Sequence, residues 1–118
     1  LMDILRYPFS NLRVYGFTVL DLGVDVAPET FVEVARTFKP DVIGLSGLIT
    51  AAYTSMRDTV AALRAMMEED RAHIPILLGG QIDEQICKYV GADYWSTDAM
   101  EGVRYCQQLI NGKTPAKQ

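Results

Sequence analysis

The sequence predicts a doubly wound α/β domain built on a parallel sheet, and three observations carry that prediction. Val42-Ile43-Gly44-Leu45 is an unbroken apolar run, with no polar alternation, which suits a strand covered on both faces as parallel strands between helices are. Strand-like and helix-like patterns then alternate along the chain, which is the order expected of such a domain. Finally, the candidate strands give way to small residues, glycines and hydroxyls, the kind of residue that opens a ligand crevice at the carboxyl ends of parallel strands.

The elements follow in order. Leu1 to Tyr15 is the least legible stretch: Leu1–Tyr7 reads as a strand or a first helical turn, with helix slightly preferred, and Pro8 interrupts either. Phe17–Leu22 reads as a strand, left through the loop Gly23-Val24-Asp25-Val26. Pro28 stands at a first helical position, and Phe31, Val34, Ala35 and Phe38 recur at helical spacing as far as Pro40. With the strand at Val42–Leu45 this makes strand, helix, strand in about 30 residues, the minimal parallel crossover.

A long helical pattern follows, with Met56, Val60, Leu63 and Met67 on one face, and Glu68-Glu69-Asp70-Arg71 forms its solvated end. Ile74–Leu78 reads as the next strand, ended by Gly79-Gly80. Ile82, Ile86 and Val90 mark a short helix closed by Gly91 as a left-handed cap. Asp93-Tyr94-Trp95 makes a short last strand. Asp98, with Glu101 three residues on, resembles a capping box and opens a helix through Val103, Cys106 and Ile110 to Gly112. The expected organisation is an N-terminal segment 1–15 without a clear assignment, a domain over 16–112, and a frayed tail over 113–118.

Composition narrows the function classes. With 118 residues, 49% of them hydrophobic, the chain holds enough apolar material for one core. Its net charge of −4 and the scatter of its eleven Lys and Arg residues argue against a nucleic-acid surface. The apolar runs are strand-sized, so no membrane span or signal peptide is expected. Cys87 and Cys106 both fall in expected helices, which predicts a reduced, cytoplasmic pair of buried thiols rather than a disulfide. The start at Leu1 rather than a methionine suggests a fragment or a processed product.

The strand-end loops are Gly23-Val24-Asp25, Ser46-Gly47-Leu48-Ile49-Thr50, Gly79-Gly80 and Ser96-Thr97-Asp98. They carry hardly any charge, and that excludes several uses of the fold. Neither G-x-G-x-x-G nor a Walker sequence occurs, so a dinucleotide or nucleoside-triphosphate site lacks its phosphate loop. A phosphoacceptor receiver domain would need an aspartate where Ser46 stands. A Ser-His-Asp hydrolase would need a histidine near the crevice, whereas His73 falls between a helix and a strand start. No paired carboxylates serve general acid–base chemistry, and no catalytic or metal-ligating residue is assigned. A binding surface for something large, flat or extended remains.

The motifs Asp21-Leu22-Gly23-Val24-Asp25-Val26, Lys39 to Thr50, Leu78-Gly79-Gly80, and Gly91-Ala92-Asp93 through Asp98-Ala99 resemble those of the cobalamin (vitamin B12)-binding domain of methionine synthase and of the corrinoid proteins of methyl-transfer systems. The resemblance runs from about Gly16 to about Leu109. Each motif alone is weak, and together, in family order and spacing, they are specific. It implies a flavodoxin-like (Rossmann-like) sheet with a slot for the benzimidazole tail of the cofactor. By that resemblance Ser46, Gly47, Leu48 and Thr50 line the slot, with Ser46 placed to hydrogen-bond tail groups. Gly79 and Gly80 admit the ribose and phosphate; Ser96 and Asp98 border the far side, and Gly23, Val24 and Asp25 the near side.

One feature of the family is not in this sequence. Its cobalt is held by a histidine in an Asp-x-His-x-x-Gly loop after the first strand, tuned by the carboxylate. The nearest match here is Met2-Asp3-Ile4-Leu5, with Met2 where the ligand would be. A first strand and loop lying outside the chain would account for this, as would divergence.

The resemblance implies a domain that carries a methyl group on cobalt for partner methyltransferase subunits or domains, inactive alone, with the cofactor supplying the chemistry. A degenerate or base-on regulatory module without the histidine is the alternative, and a mutase domain shares the cofactor; the Ser46–Thr50 stretch looks closer to methionine synthase. The oligomeric state stays open. Simpler roles stand beside these. Gly79-Gly80 suits a tight turn, Ser46 and Thr50 suit helix caps, Asp98 is foremost a cap, and Met56, Met66 and Met67 are core or helix-surface residues.

Overall fold

A computed structural model of the chain describes residues 27–47 and 51–110. The segment 1–15 and the expected strand Phe17–Leu22 lie outside the described residues, as does the tail 113–118.

Helix α1, Pro28–Phe38, begins with proline in its first turn, where the missing N–H costs nothing and the ring sets a helical φ. It buries Phe31 and Ala35. It ends at Lys39, which takes a left-handed φ of 51° and returns its N–H to the Ala35 carbonyl. Strand β1, Ile43–Gly47, follows, then α2, Ala51–Asp70. On α2, Met56, Val60, Leu63, Met66 and Met67 are buried, and Glu68 to Arg71 are exposed as expected.

Strand β2 is Ile76–Gly80, two residues later than the apolar run suggests. Proline has no N–H for a ladder, so Pro75 contributes only its carbonyl, to the Ile43 N–H at 2.9 Å, and regular pairing starts at Ile76. The glycines stay in the strand instead of ending it. Helix α3 is Glu84–Val90, capped by the Asp83 carboxylate on the Ile86 N–H and closed by Gly91 at φ 87°. Ile82 therefore precedes the helix, yet is buried with the core. Strand β3 is Tyr94–Ser96, and α4 is Ala99–Ile110.

The sheet has the order β1-β2-β3, and both pairings are parallel. This is the mixed α/β, parallel architecture the sequence predicts. Helix α1 packs on α2 and α2 on α3, while α4 packs on β2 and β3, where the Tyr94 and Tyr105 rings approach to 5.9 Å. Ile43, Leu45, Met56, Leu63, Ile76, Leu77 and Leu78 are fully buried. On β2, Ile76 and Leu78 point to one face and Leu77 to the other, so side chains on both faces of that strand are out of water, as its lack of alternation implies. Cys87 and Cys106 are buried and form no disulfide among the described residues. No helix among the described residues is long and apolar enough to cross a membrane.

Candidate functional site

Parallel pairing aligns the carboxyl ends of all three strands. Ser46 of β1 stands opposite Gly79 of β2, and Gly79 stands opposite Ser96 of β3. One residue further on, Gly47 is opposite Gly80. Five of the residues singled out from the sequence therefore form two adjacent rows at one edge of the sheet, in positions where three of them project no side chain. Gly80 has φ 102°, a region that disfavours any residue with a Cβ, so the strand can leave the sheet in this direction only with glycine there.

The turn after Gly80 is held from two sides. The Ile82 N–H reaches back to the Gly80 carbonyl at 3.0 Å. The Tyr53 hydroxyl, from the first turn of α2, donates to the Gln81 carbonyl. These bonds fix the backbone of the glycine pair on its exit from the sheet, and Tyr53 carried no sequence signal for that role.

At the end of β3 the polar groups are committed locally. The Ser96 hydroxyl donates to the Asp98 carbonyl at 2.7 Å and accepts from the Asp98 N–H at 3.1 Å, and Ser96 is 1% exposed. A hydroxyl has one donor and two acceptor positions, so Ser96 retains a single acceptor lone pair for anything else. The Asp98 carboxylate accepts from the Met100 N–H at 2.9 Å, and its carbonyl takes the first helical bond, from Gly102. Asp98 is thus the cap of α4, which is why a charge stands at a strand end otherwise free of it. On β3 the Trp95 indole nitrogen is buried without a hydrogen-bond partner among the described residues.

Gly23, Val24, Asp25, Leu48 and Thr50 lie outside the described residues. His73, the chain's one histidine, sits in the connection between α2 and β2. That places it at the amino edge of the sheet, away from the aligned glycines. Among the described residues no group of three or more His, Cys, Asp or Glu could hold a metal ion. The Cys106 thiol is pushed up to about 12 by burial, which keeps it protonated and inert rather than a ligand. The described strand ends offer backbone groups, glycines and a nearly spent Ser96 hydroxyl, which suits holding a ligand and not moving protons.

The sequence reading also missed Asp93. Its carboxylate accepts from the Ile76 N–H at 2.8 Å and pairs with Arg64 at 3.0 Å, while its own N–H donates to the Ile76 carbonyl. These bonds take Asp93 out of the ladder and start β3 at Tyr94. The family-like Gly91-Ala92-Asp93 turn is accordingly a clamp on the amino end of β2, with Arg64 also donating to the Gly91 carbonyl at 3.1 Å.

Comparison with known proteins places this geometry. The family model described as the B12 binding domain matches residues 5–104. Among curated relatives, dimethylamine corrinoid protein 2 of Methanosarcina acetivorans is 35% identical over 105 residues, covering 88% of this chain and 48% of that protein. Trimethylamine corrinoid protein 2 of the same organism is 34% identical over 103 residues, covering 86% and 46%. The chain spans about half the length of these relatives. Among solved structures, a cobalamin-binding protein from Desulfitobacterium hafniense superposes with a TM-score of 0.75 at 42% identity, over 82% of this chain and 47% of that one. The methanol:cobalamin methyltransferase complex MtaBC from Methanosarcina barkeri gives 0.71 at 25% identity, over 87% and 39%. The chain belongs to the B12-binding domain family, whose cofactor is cobalamin.

Proposed function

We propose that this domain is the cobalamin-holding part of a corrinoid protein that carries a methyl group for a partner methyltransferase, with methylamines as the substrate class. The names of the curated relatives support this reading and favour it over a degenerate regulatory module. The observation that carries it is the alignment of Ser46, Gly79 and Ser96, with Gly47 beside Gly80, at the carboxyl ends of three parallel strands in a chain of this family.

The residues fit the cofactor. Gly47, Gly79 and Gly80 leave the tail a flat backbone surface, and the left-handed Gly80 turns the chain away from it. The remaining lone pair of Ser96 is left for the tail's polar groups, and the family resemblance assigns Ser46, Leu48 and Thr50 to the slot and Gly23 to Asp25 to its near side. Asp98 acts through the chain, by fixing the Ser96 hydroxyl and the start of α4. Bound cobalamin supplies the cobalt that accepts and releases the methyl group. The protein's share is to bind, orient and shield it, and substrate chemistry belongs to the partner.

The test is to load the protein with cobalamin, reduce it, and add a methylated amine with and without a methylamine methyltransferase. The reading expects an absorbance change of the bound cofactor only when enzyme and substrate are both present. Equal change with the protein alone, or none with any methylated amine and its enzyme, would contradict it.

A further inference from the structure

At the opposite edge of the sheet from the glycine rows, the ends of α1 and α2 and the connections leading into β1 and β2 enclose a cleft of about 580 Å3. This is within the range of small-molecule sites, roughly 300–1,000 Å3. Ala35, Met66 and Ile74, all members of the core, form its apolar part.

Its rim is cationic and unevenly satisfied. Arg36 is held by Asp70 at 2.9 Å and Glu69 at 3.2 Å. Lys39 and His73 also line the cleft, and neither side chain has a hydrogen-bond or ion-pair partner among the described residues. Among the described residues Asp70 is the one carboxylate lining the cleft, and Arg36 already occupies it.

The backbone supplies an independent observation. Lys39 closes α1 at φ 51°, and Arg71, next to the cleft residue Ala72, closes α2 at φ 54°. Glycine is the low-strain residue at such a cap, and a side chain there is held against its preference. Both helices facing the cleft thus end on a strained cation where glycine would be more stable. A cation also complements a helix carboxyl end, but that needs no left-handed residue, because the preceding turn would serve.

We propose that this cleft is a second binding site, for a small organic anion, a carboxylate or phosphate carrying an apolar body. The body lies against Ala35, Met66 and Ile74, and Lys39 and His73 donate to the anionic head. The site is at the amino ends of the strands, so it can be filled together with the cobalamin site.

The test uses 8-anilinonaphthalene-1-sulfonate, an apolar body with one anionic group, titrated into the cobalamin-loaded chain and followed by fluorescence. Saturable one-site binding is expected, displaced by decanoate or decyl phosphate and not by decanol. The decisive variant is Lys39→Gly. It relieves strain, so its unfolding midpoint should rise, while probe affinity should fall about tenfold, as loss of one charge-assisted hydrogen bond implies. His73→Ala should give a similar fall at unchanged stability. Absence of one-site binding to the folded chain, displacement by decanol equal to that by decanoate, or undiminished affinity in Lys39→Gly would each overturn the proposal.

Discussion

Removing the Asp93 carboxylate tests whether the family-like Gly91-Ala92-Asp93 turn is structural. In Asp93→Ala the Ile76 N–H, buried at the start of β2, loses its 2.8 Å acceptor, and a hydrogen bond to a charged group is worth about 1.5–3 kcal/mol. The 3.0 Å pair with Arg64 also goes; both side chains are about a third exposed, 33% and 28%, so solvent screening limits that contribution to about 0.5 kcal/mol. The variant should lose about 2–3 kcal/mol in a urea unfolding titration. Asp93→Asn retains an acceptor for Ile76 and should lose about half as much. Because these bonds lie at the amino edge, cobalamin affinity measured below the unfolding transition should not change. A loss under 0.5 kcal/mol in Asp93→Ala, or a fall in affinity at unchanged stability, would refute the assignment.

Other outcomes follow from the same structure. Burial raises the Cys106 thiol from its ordinary 9.0 to about 12, so its contribution is complete below pH 9 and is lost as the pH rises toward about 12. The fall approaches 1.4 kcal/mol per pH unit, and urea titrations across that window should show it flattened in Cys106→Ala. Gly91→Ala should cost about 1–2 kcal/mol in thermal unfolding, because φ 87° is unfavourable for alanine; its Cβ would meet Val60 at an ordinary 3.6 Å, so a larger loss would contradict the strain account. Leu78→Ala, at a fully buried position of the central strand, should lose about 2–5 kcal/mol by the same assay.

Elements governed by short-range patterns were legible in the sequence. Pro28, the Phe31–Phe38 spacing, the Gly91 cap and the Asp98 cap each act within one helical turn, and each stands where it was expected. Strand limits were less legible because they depend on partners far along the chain. Pro75 and Asp93 shift β2 and β3 through bonds to Ile43 and Ile76, and Ile82 is buried just before its helix. The site was visible as separate glycines and hydroxyls; their alignment in one register exists only once the strands pair. Tyr53 was invisible for the same reason, since it acts on Gln81, 28 residues away. In the sequence Lys39 reads only as part of the family-like Lys39–Thr50 motif and His73 only as lying between a helix and a strand start, because neither a left-handed φ nor a shared cleft is encoded in local pattern.

The most direct test of the central claim is a visible absorption titration of the purified chain with hydroxocobalamin, run in parallel on Gly79→Val and Asp93→Ala. The account predicts saturable binding to the wild-type chain and unchanged affinity in Asp93→Ala. Affinity should fall at least about tenfold in Gly79→Val, the difference that a side chain filling the shelf by about 1.4 kcal/mol or more would make. No spectral change with folded protein, or equal affinity in all three, would contradict cobalamin binding on the aligned glycines.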